Sequence, residues 1–168
     1  MTKIIHDRKI VEDDWQTLPD DAPLPGSGRV VVSLKRWQEI RDAAKTGDAV
    51  FGVRIPNNVD VVELWPALRE RPLIAVEFPA FGDGRAYSQA RLLRERFDYK
   101  GEIRAVGDVL RDEIFFMHRC GINAMIPRAD QDLQELLVAF GDFKVPYQAA
   151  ADAVAPVVRR RQAGETSR

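Results

Sequence analysis

A chain of 168 residues with 45% hydrophobic and 30% charged side chains has the length and composition of one folded domain rather than a disordered segment. Its formal charge of −1 excludes the basic excess of a general nucleic-acid binder. One cysteine, Cys120, and two distant histidines, His6 and His118, exclude an intrachain disulfide, a Cys-ligated iron–sulfur cluster and a His/Cys metal site.

The opening MTKIIHDRKIVEDDW carries acids where a signal peptide needs an apolar core, and no apolar run approaches membrane length, so a cytoplasmic location without membrane contact is expected. Residues 1–28 read as an N-terminal arm. Lys3-Ile4-Ile5 and Lys9-Ile10-Val11 suit a short hairpin around His6-Asp7-Arg8, and Trp15 and Leu18 are expected to pin the following Pro/Gly-rich stretch to the body. Such an arm could also swap between copies of a homo-oligomer.

From Arg29 a short apolar run followed by a helical stretch recurs. Val30-Val31-Val32 is the first strand of this series, and Ser33 is placed to cap a helix carrying Leu34, Trp37 and Ile40. Ala49–Ile55 is the second strand; Asn57 and Asn58 suit a turn or cap, and Pro66 should shorten or kink the helix that follows. Leu73–Phe78 is a third strand, apolar enough to be buried on both faces. Arg85–Phe97 is a helix, Ile103–Val106 a strand, and Asp108 an expected N-cap for a helix ending at Gly121. Ala124–Ile126 and a helix through Leu133, Leu136, Leu137 and Phe140 complete the series. Phe143-Lys144-Val145 and Tyr147-Gln148 are expected to dock as strand or coil, within a domain spanning 29–147, and 148–168 reads as a tail.

Five strand–helix units in order imply an α/β fold with a mostly parallel sheet and right-handed crossovers. A sheet with helices on both faces is the expected form, and an incomplete (β/α) barrel is the alternative closure.

Ligands of parallel sheets gather beyond the carboxyl ends of the strands. There the sequence places Arg54, then Glu77 with Asp83-Gly84-Arg85, then Asp108, Arg111 and Asp112. Two glycine-containing, arginine-bearing elbows therefore precede helices on adjacent units. Exposed amides and planar guanidinium groups there suit a carboxylate, phosphate or sulfur oxyanion. The same residues suit purely structural roles: Asp83 and Asp108 as caps, Arg85, Arg111 and Asp112 as an ion-pair network, and Glu77 as partner of Arg54 or Arg104. Ser88 has no histidine placed to activate it and reads as a helix-face hydroxyl. Tyr87 either donates toward a bound anion or leans on the sheet. Gly82-x-Gly84 lacks the third glycine of a dinucleotide fingerprint, and no recognisable cofactor motif is present.

The run DGRAYSQARLLRERFDYKGEIRAVGDVLRDEIFFMHRCGINAM resembles the signature block of a bacterial family, domain of unknown function 934. The likeness extends to Ile10-Val11-Glu12-Asp13, Val31-Val32-Ser33-Leu34 with Trp37, Ile74–Pro79 and Tyr147-Gln148. The family's motif residues correspond to Asp83, Gly84, Arg85, Tyr87, Ser88, Arg91, Gly107, Asp108, Arg111 and Asp112, without catalytic assignments. Glu113 and Ile122 stand where glutamine and phenylalanine are more usual. The resemblance implies genes beside sulfite reductase and a loose oxidoreductase label. With no thiol pair or nucleotide fingerprint, electron chemistry here would need a borrowed cofactor. The expected role is therefore an accessory or binding protein of assimilatory sulfite reduction, whose partner is sulfite reductase, another enzyme of sulfate assimilation, or a small oxyanion. A small enzyme acting on an anionic metabolite, with Glu77, Asp83 or Asp108 as acid or base, is the competing expectation.

Overall fold

The computed structural model describes residues 2–141 apart from 43, 45, 46 and 81. The expected segments Phe143-Lys144-Val145 and Tyr147-Gln148 and the 148–168 tail lie outside the described residues.

The N-terminal arm opens with a hairpin of β1 (Lys3–His6) and β2 (Lys9–Glu12). Its two-residue turn places Asp7 and Arg8 at φ 47° and 61°, the paired positive values that match the twist of flanking antiparallel strands. There follow β3 (Gln16–Thr17), β4 (Ser27–Ser33), α1 (Leu34–Ile40), β5 (Asp48–Ile55), α2 (Val61–Leu68), β6 (Leu73–Phe78) and α3 (Arg85–Arg91). α3 continues as a π-helical turn over Leu92–Arg96, before β7 (Glu102–Gly107), α4 (Arg111–Arg119), β8 (Ala124–Met125) and α5 (Leu133–Ala139).

All eight strands form one sheet in the order β2-β1-β8-β7-β6-β5-β4-β3. Strands β3 to β8 pair in parallel, and β1 adds antiparallel to β8. The arm thus supplies strands at both ends of the sheet.

Alternation along the strands explains how the two faces differ. Val30 and Val32 of β4, Phe51, Val53 and Ile55 of β5, and Ile74, Val76 and Phe78 of β6 share the main core with buried residues of all five helices. The intervening Val31, Leu73 and Ala75 form a separate cluster with Trp15 that includes no helical residue. The helices therefore cover one face, and the arm covers part of the other. Gly52 makes room for that covering: a Cβ there would stand 3.0 Å from Leu73 and 3.2 Å from the Trp15 ring.

Chain connectivity then decides the curvature. β2 and β3 are the two ends of the sheet, and a flat eight-stranded sheet would hold them about 34 Å apart at ~4.8 Å per strand. Only Asp13, Asp14 and Trp15 join Glu12 to Gln16, a reach of about 14 Å at full extension. The sheet must curl, and it takes the incomplete-barrel form rather than a flat sheet with helices on both faces.

Local chemistry fixes several helix starts. Ser33 Oγ accepts from the Arg36 N–H at 3.1 Å, capping α1 as its sequence position suggests. Asp60, not Asn57 or Asn58, caps α2 through the Val62 N–H at 2.7 Å. Pro66 lies in the last turn of α2, and the helix ends two residues later. Asp108 does not cap α4: the helix starts after Leu110 without a side-chain cap, because Asp108 is drawn to Arg128. At the other end, Gly121 takes φ 94°, the left-handed position that stops the helix.

Candidate functional site

The carboxyl ends of β4 to β8 form one rim, since these strands run parallel in adjacent positions. The elbows before α3 and α4 leave neighbouring strands whose ends pair as Phe78 with Gly107, so Arg85 and Arg111 follow the same sheet edge.

Each sequence-nominated charge on this rim has an identifiable partner. Arg54 Nε lies 2.9 Å from Glu77 Oε1, across neighbouring strand ends. Arg104, the other candidate partner of Glu77, is taken up by the charge cluster described below. Arg85 grips Asp83 with a fork, Nε to Oδ1 at 3.0 Å and Nη2 to Oδ2 at 2.6 Å. That grip, with the Arg85 N–H and Asn57 adding to it, holds the Asp83 carboxyl well below the usual carboxylate range. Gly84 is the residue at the start of α3 and Ser88 lies exposed on its surface.

On the next unit, Arg128 Nη1 donates to Asp108 Oδ1 at 3.0 Å, while Nε and Nη2 donate to Asp130 at 2.6 and 2.7 Å. Arg128 lowers the Asp130 pKa to about 2. Arg111 stands 3.9 Å from the exposed Asp112, and its backbone N–H donates to Gln131 Oε1 at 3.3 Å. Arg128 went unnoticed in the sequence because Ile126-Pro127-Arg128-Ala129-Asp130 carries no glycine elbow, although it too follows a parallel strand end.

Tyr87 resolves toward packing. Its ring meets Phe78 and Phe116 edge-on at 4.9 and 4.8 Å, and its hydroxyl donates to Glu113 Oε1 at 2.9 Å. Glu113 Oε2 is buried with no hydrogen-bond partner. Burial raises the Glu113 pKa, against the smaller opposing effect of the Tyr87 hydroxyl. Because the folded state holds this proton more tightly than the unfolded chain, the group favours folding below its ordinary value of 4.5 and this contribution is lost as pH rises through the folded value. Glu113→Gln should keep the Tyr87 contact and raise stability at pH 7 by about 1 kcal/mol or less. The difference should close in urea titrations repeated below pH 4.5.

An open cleft of about 300 Å³ lies at the ends of β4, β5 and β6. Arg54 and Glu77 line it together with Asp20, Ser33, Lys35 and Gln38, with Leu34 and Pro56 as its apolar share. The arm closes one side, where the Ser33 hydroxyl donates to Asp20 at 2.7 Å. Asp20, Lys35 and Gln38 carry no sequence signal of a site; the start of α1 after β4 places Lys35 and Gln38 there, and the return of the arm over β4 brings Asp20. A larger cavity of about 490 Å³, lined in part by Trp37, Arg41, Arg69 and Arg71, opens where α1 and α2 end. It is beside the amino ends of the strands, and its arginines sit where cations complement helix carboxyl termini. The rim cleft is therefore the candidate site.

Among the described residues no group of three or more His, Cys, Asp or Glu side chains could hold a metal ion, and no helix is long and apolar enough to cross a membrane. Cys120 is buried behind α4, consistent with a small apolar filler.

The inward face carries a second charged cluster. Arg104, 2% exposed, donates through Nη1 and Nη2 to Asp13 at 2.9 and 3.0 Å and through Nε to Glu102 at 2.7 Å. His6 Nε2 stands 4.0 Å from Glu102. This cluster ties the arm to β7 and is structural in placement.

Comparison with known families gives a match over residues 52–158 to a model described as a bacterial protein of unknown function (DUF934). No curated protein matches the chain in sequence.

Proposed function

The chain belongs to the DUF934 family of bacterial proteins, and from that premise we propose that it is a binding or accessory protein whose rim cleft takes a small ligand bearing an anionic group. The observation that supports this reading is the position of Arg54, 40% exposed at its side chain, on a cleft at the carboxyl ends of parallel strands. A volume near 300 Å³ suits a compact metabolite and not a flavin or dinucleotide. The setting in assimilatory sulfite reduction comes from the family resemblance, and sulfite reductase is the partner it suggests.

Binding is favoured over acid–base turnover by the state of the rim carboxylates. Asp83 and Asp108 are each held by an arginine, and Glu77 already meets Arg54. A general base needs a carboxylate turned to the substrate with its basicity raised, and the lowered Asp83 runs the other way.

Thermal unfolding with sulfite, sulfate, phosphate, acetate and L-alanine tests the reading. A ligand at a hundred times its Kd adds about 2.7 kcal/mol, which for a chain this size moves Tm by about 5–10 °C. Arg54→Ala should abolish the shift while leaving the unliganded Tm nearly unchanged, because an exposed ion pair contributes about 1 kcal/mol at most. Normal growth on sulfate of a strain lacking the gene would overturn the sulfite-reduction setting while leaving the binding result intact.

A further inference from the structure

The charges around the rim cleft are balanced, and balance constrains what can enter. Arg54 and Lys35 supply two cations; Glu77 and Asp20 supply two carboxylates. A sulfate or phosphate placed against Arg54 would also face Glu77, whose Oε1 is 2.9 Å from Arg54 Nε. Like charges at that range repel in a site partly screened from water. An ammonium group meets the opposite situation, with the carboxylates of Glu77 and Asp20 both in the cleft lining. The carboxylates have capacity for this: an ionised carboxyl accepts up to about four hydrogen bonds, and Arg54 has five N–H donors of which Nε serves Glu77.

Resting on the reading that this cleft binds a small anion-bearing ligand, we infer that its occupant is a small zwitterion, an α-amino acid or close analogue. Its carboxylate meets Arg54 and Lys35, and its ammonium meets Glu77 and Asp20. The Ser33 hydroxyl, already donating to Asp20 at 2.7 Å, fixes that carboxylate in the cleft wall. Leu34 and Pro56 leave only a small apolar surface, so a short side chain fits and a large aromatic one does not. The arm takes part directly, because Asp20 belongs to the segment that returns over β4 after β3.

Calorimetric titration of the full chain with L-alanine, N-acetyl-L-alanine and L-alaninamide separates the two halves of the claim. The first carries both charges, the second only the carboxylate, the third only the ammonium. L-Alanine should bind about tenfold or more tightly than either half-ligand, the size expected for losing one charged hydrogen-bonding contact. Glu77→Gln should remove that advantage over N-acetyl-L-alanine, and Arg54→Gln the advantage over L-alaninamide, with each variant's unliganded Tm reporting that it is folded. Equal binding of L-alanine and N-acetyl-L-alanine, or binding of sulfate and acetate without L-alanine, would overturn the zwitterion while preserving the anion-binding reading. No heat and no Tm shift with any of these compounds would overturn both. Binding of L-alanine unaffected by either substitution would place the site elsewhere and also overturn the proposal.

Discussion

Replacing Arg104 by methionine is expected to lower the stability of the fold by about 3–5 kcal/mol, the usual consequence of removing one member of a buried charge cluster. The methionine nearly preserves the length of the side chain, so the loss is not mainly a cavity. It comes from Asp13 and Glu102, with side-chain exposures of 8% and 14%, which would face each other without the guanidinium that separates them. The substitution acts on topology as well. Asp13 is the first of the three residues that bridge the two ends of the sheet, and its backbone N–H donates to Thr2 O at 2.8 Å. Releasing it loosens the whole crossing from β2 to β3. Urea denaturation should therefore show both a lower midpoint and a smaller slope, since an arm already detached exposes less new surface on unfolding. Adding Asp13→Asn and Glu102→Gln to Arg104→Met should recover most of the loss, because neutral groups leave no uncompensated charge. A loss under about 1 kcal/mol for the single variant would mean that water reaches the cluster and that strand pairing and Trp15 hold the arm without it.

That crossing is also where the sequence stops being legible. Hydrophobic runs such as LIAVEF and helical spacing such as Leu34, Trp37 and Ile40 identify β6 and α1 because each pattern is local. The hairpin is legible for the same reason. Closure is not local: it depends on two residues, Gln16 and Thr17, pairing in parallel with Val30 and Val31. A two-residue strand has no period to detect. Yet the constraint was present in the spacing, because three residues between two edge strands forbid a flat sheet once β3 is known.

The rim shows the same division. That Arg54, Glu77, Asp83, Arg85, Asp108 and Arg111 follow strand ends can be read from the order of elements. Which charge meets which cannot. Glu77 had two sequence-compatible partners, Arg54 and Arg104, and pleating leaves both on its face, since each pairs in register with Ala75 from opposite sides; the difference is that Arg104 is taken by Asp13 of the arm and by Glu102. Asp108 looked like a cap because it precedes a helix by the right interval. An arginine from the following loop, Arg128, meets the Asp108 carboxylate instead, and α4 starts after Leu110 without a side-chain cap. Asp20 reaches the cleft only through the arm.

Gly107→Ala offers the sharpest test of the rim as a built feature. Gly107 ends β7 at φ 100°, a left-handed value that costs other residues about 1–2 kcal/mol. A Cβ there would fall on the carbonyl oxygen of Phe78 and stand 3.1 Å from its carbonyl carbon. Unlike the end of a flexible side chain, that backbone cannot move aside independently: Phe78 pairs with Gly107 in register, and its oxygen accepts the Asp108 N–H at 2.7 Å. The end of β7 would have to peel from β6, carrying Asp108 away from Arg128. Strain and crowding together should cost about 2–5 kcal/mol. The damage should be concentrated at the carboxyl edge, so amide exchange should accelerate at Asp108 and Val109 while the Trp15 contact with β5 and β6 keeps its protection. If the rim is the ligand site, the same substitution should weaken binding at Arg54 less than it weakens the fold, because β5 pairs with β6 and not with β7. Binding abolished in a variant that remains folded would instead move the ligand toward the Asp83 and Asp108 elbows.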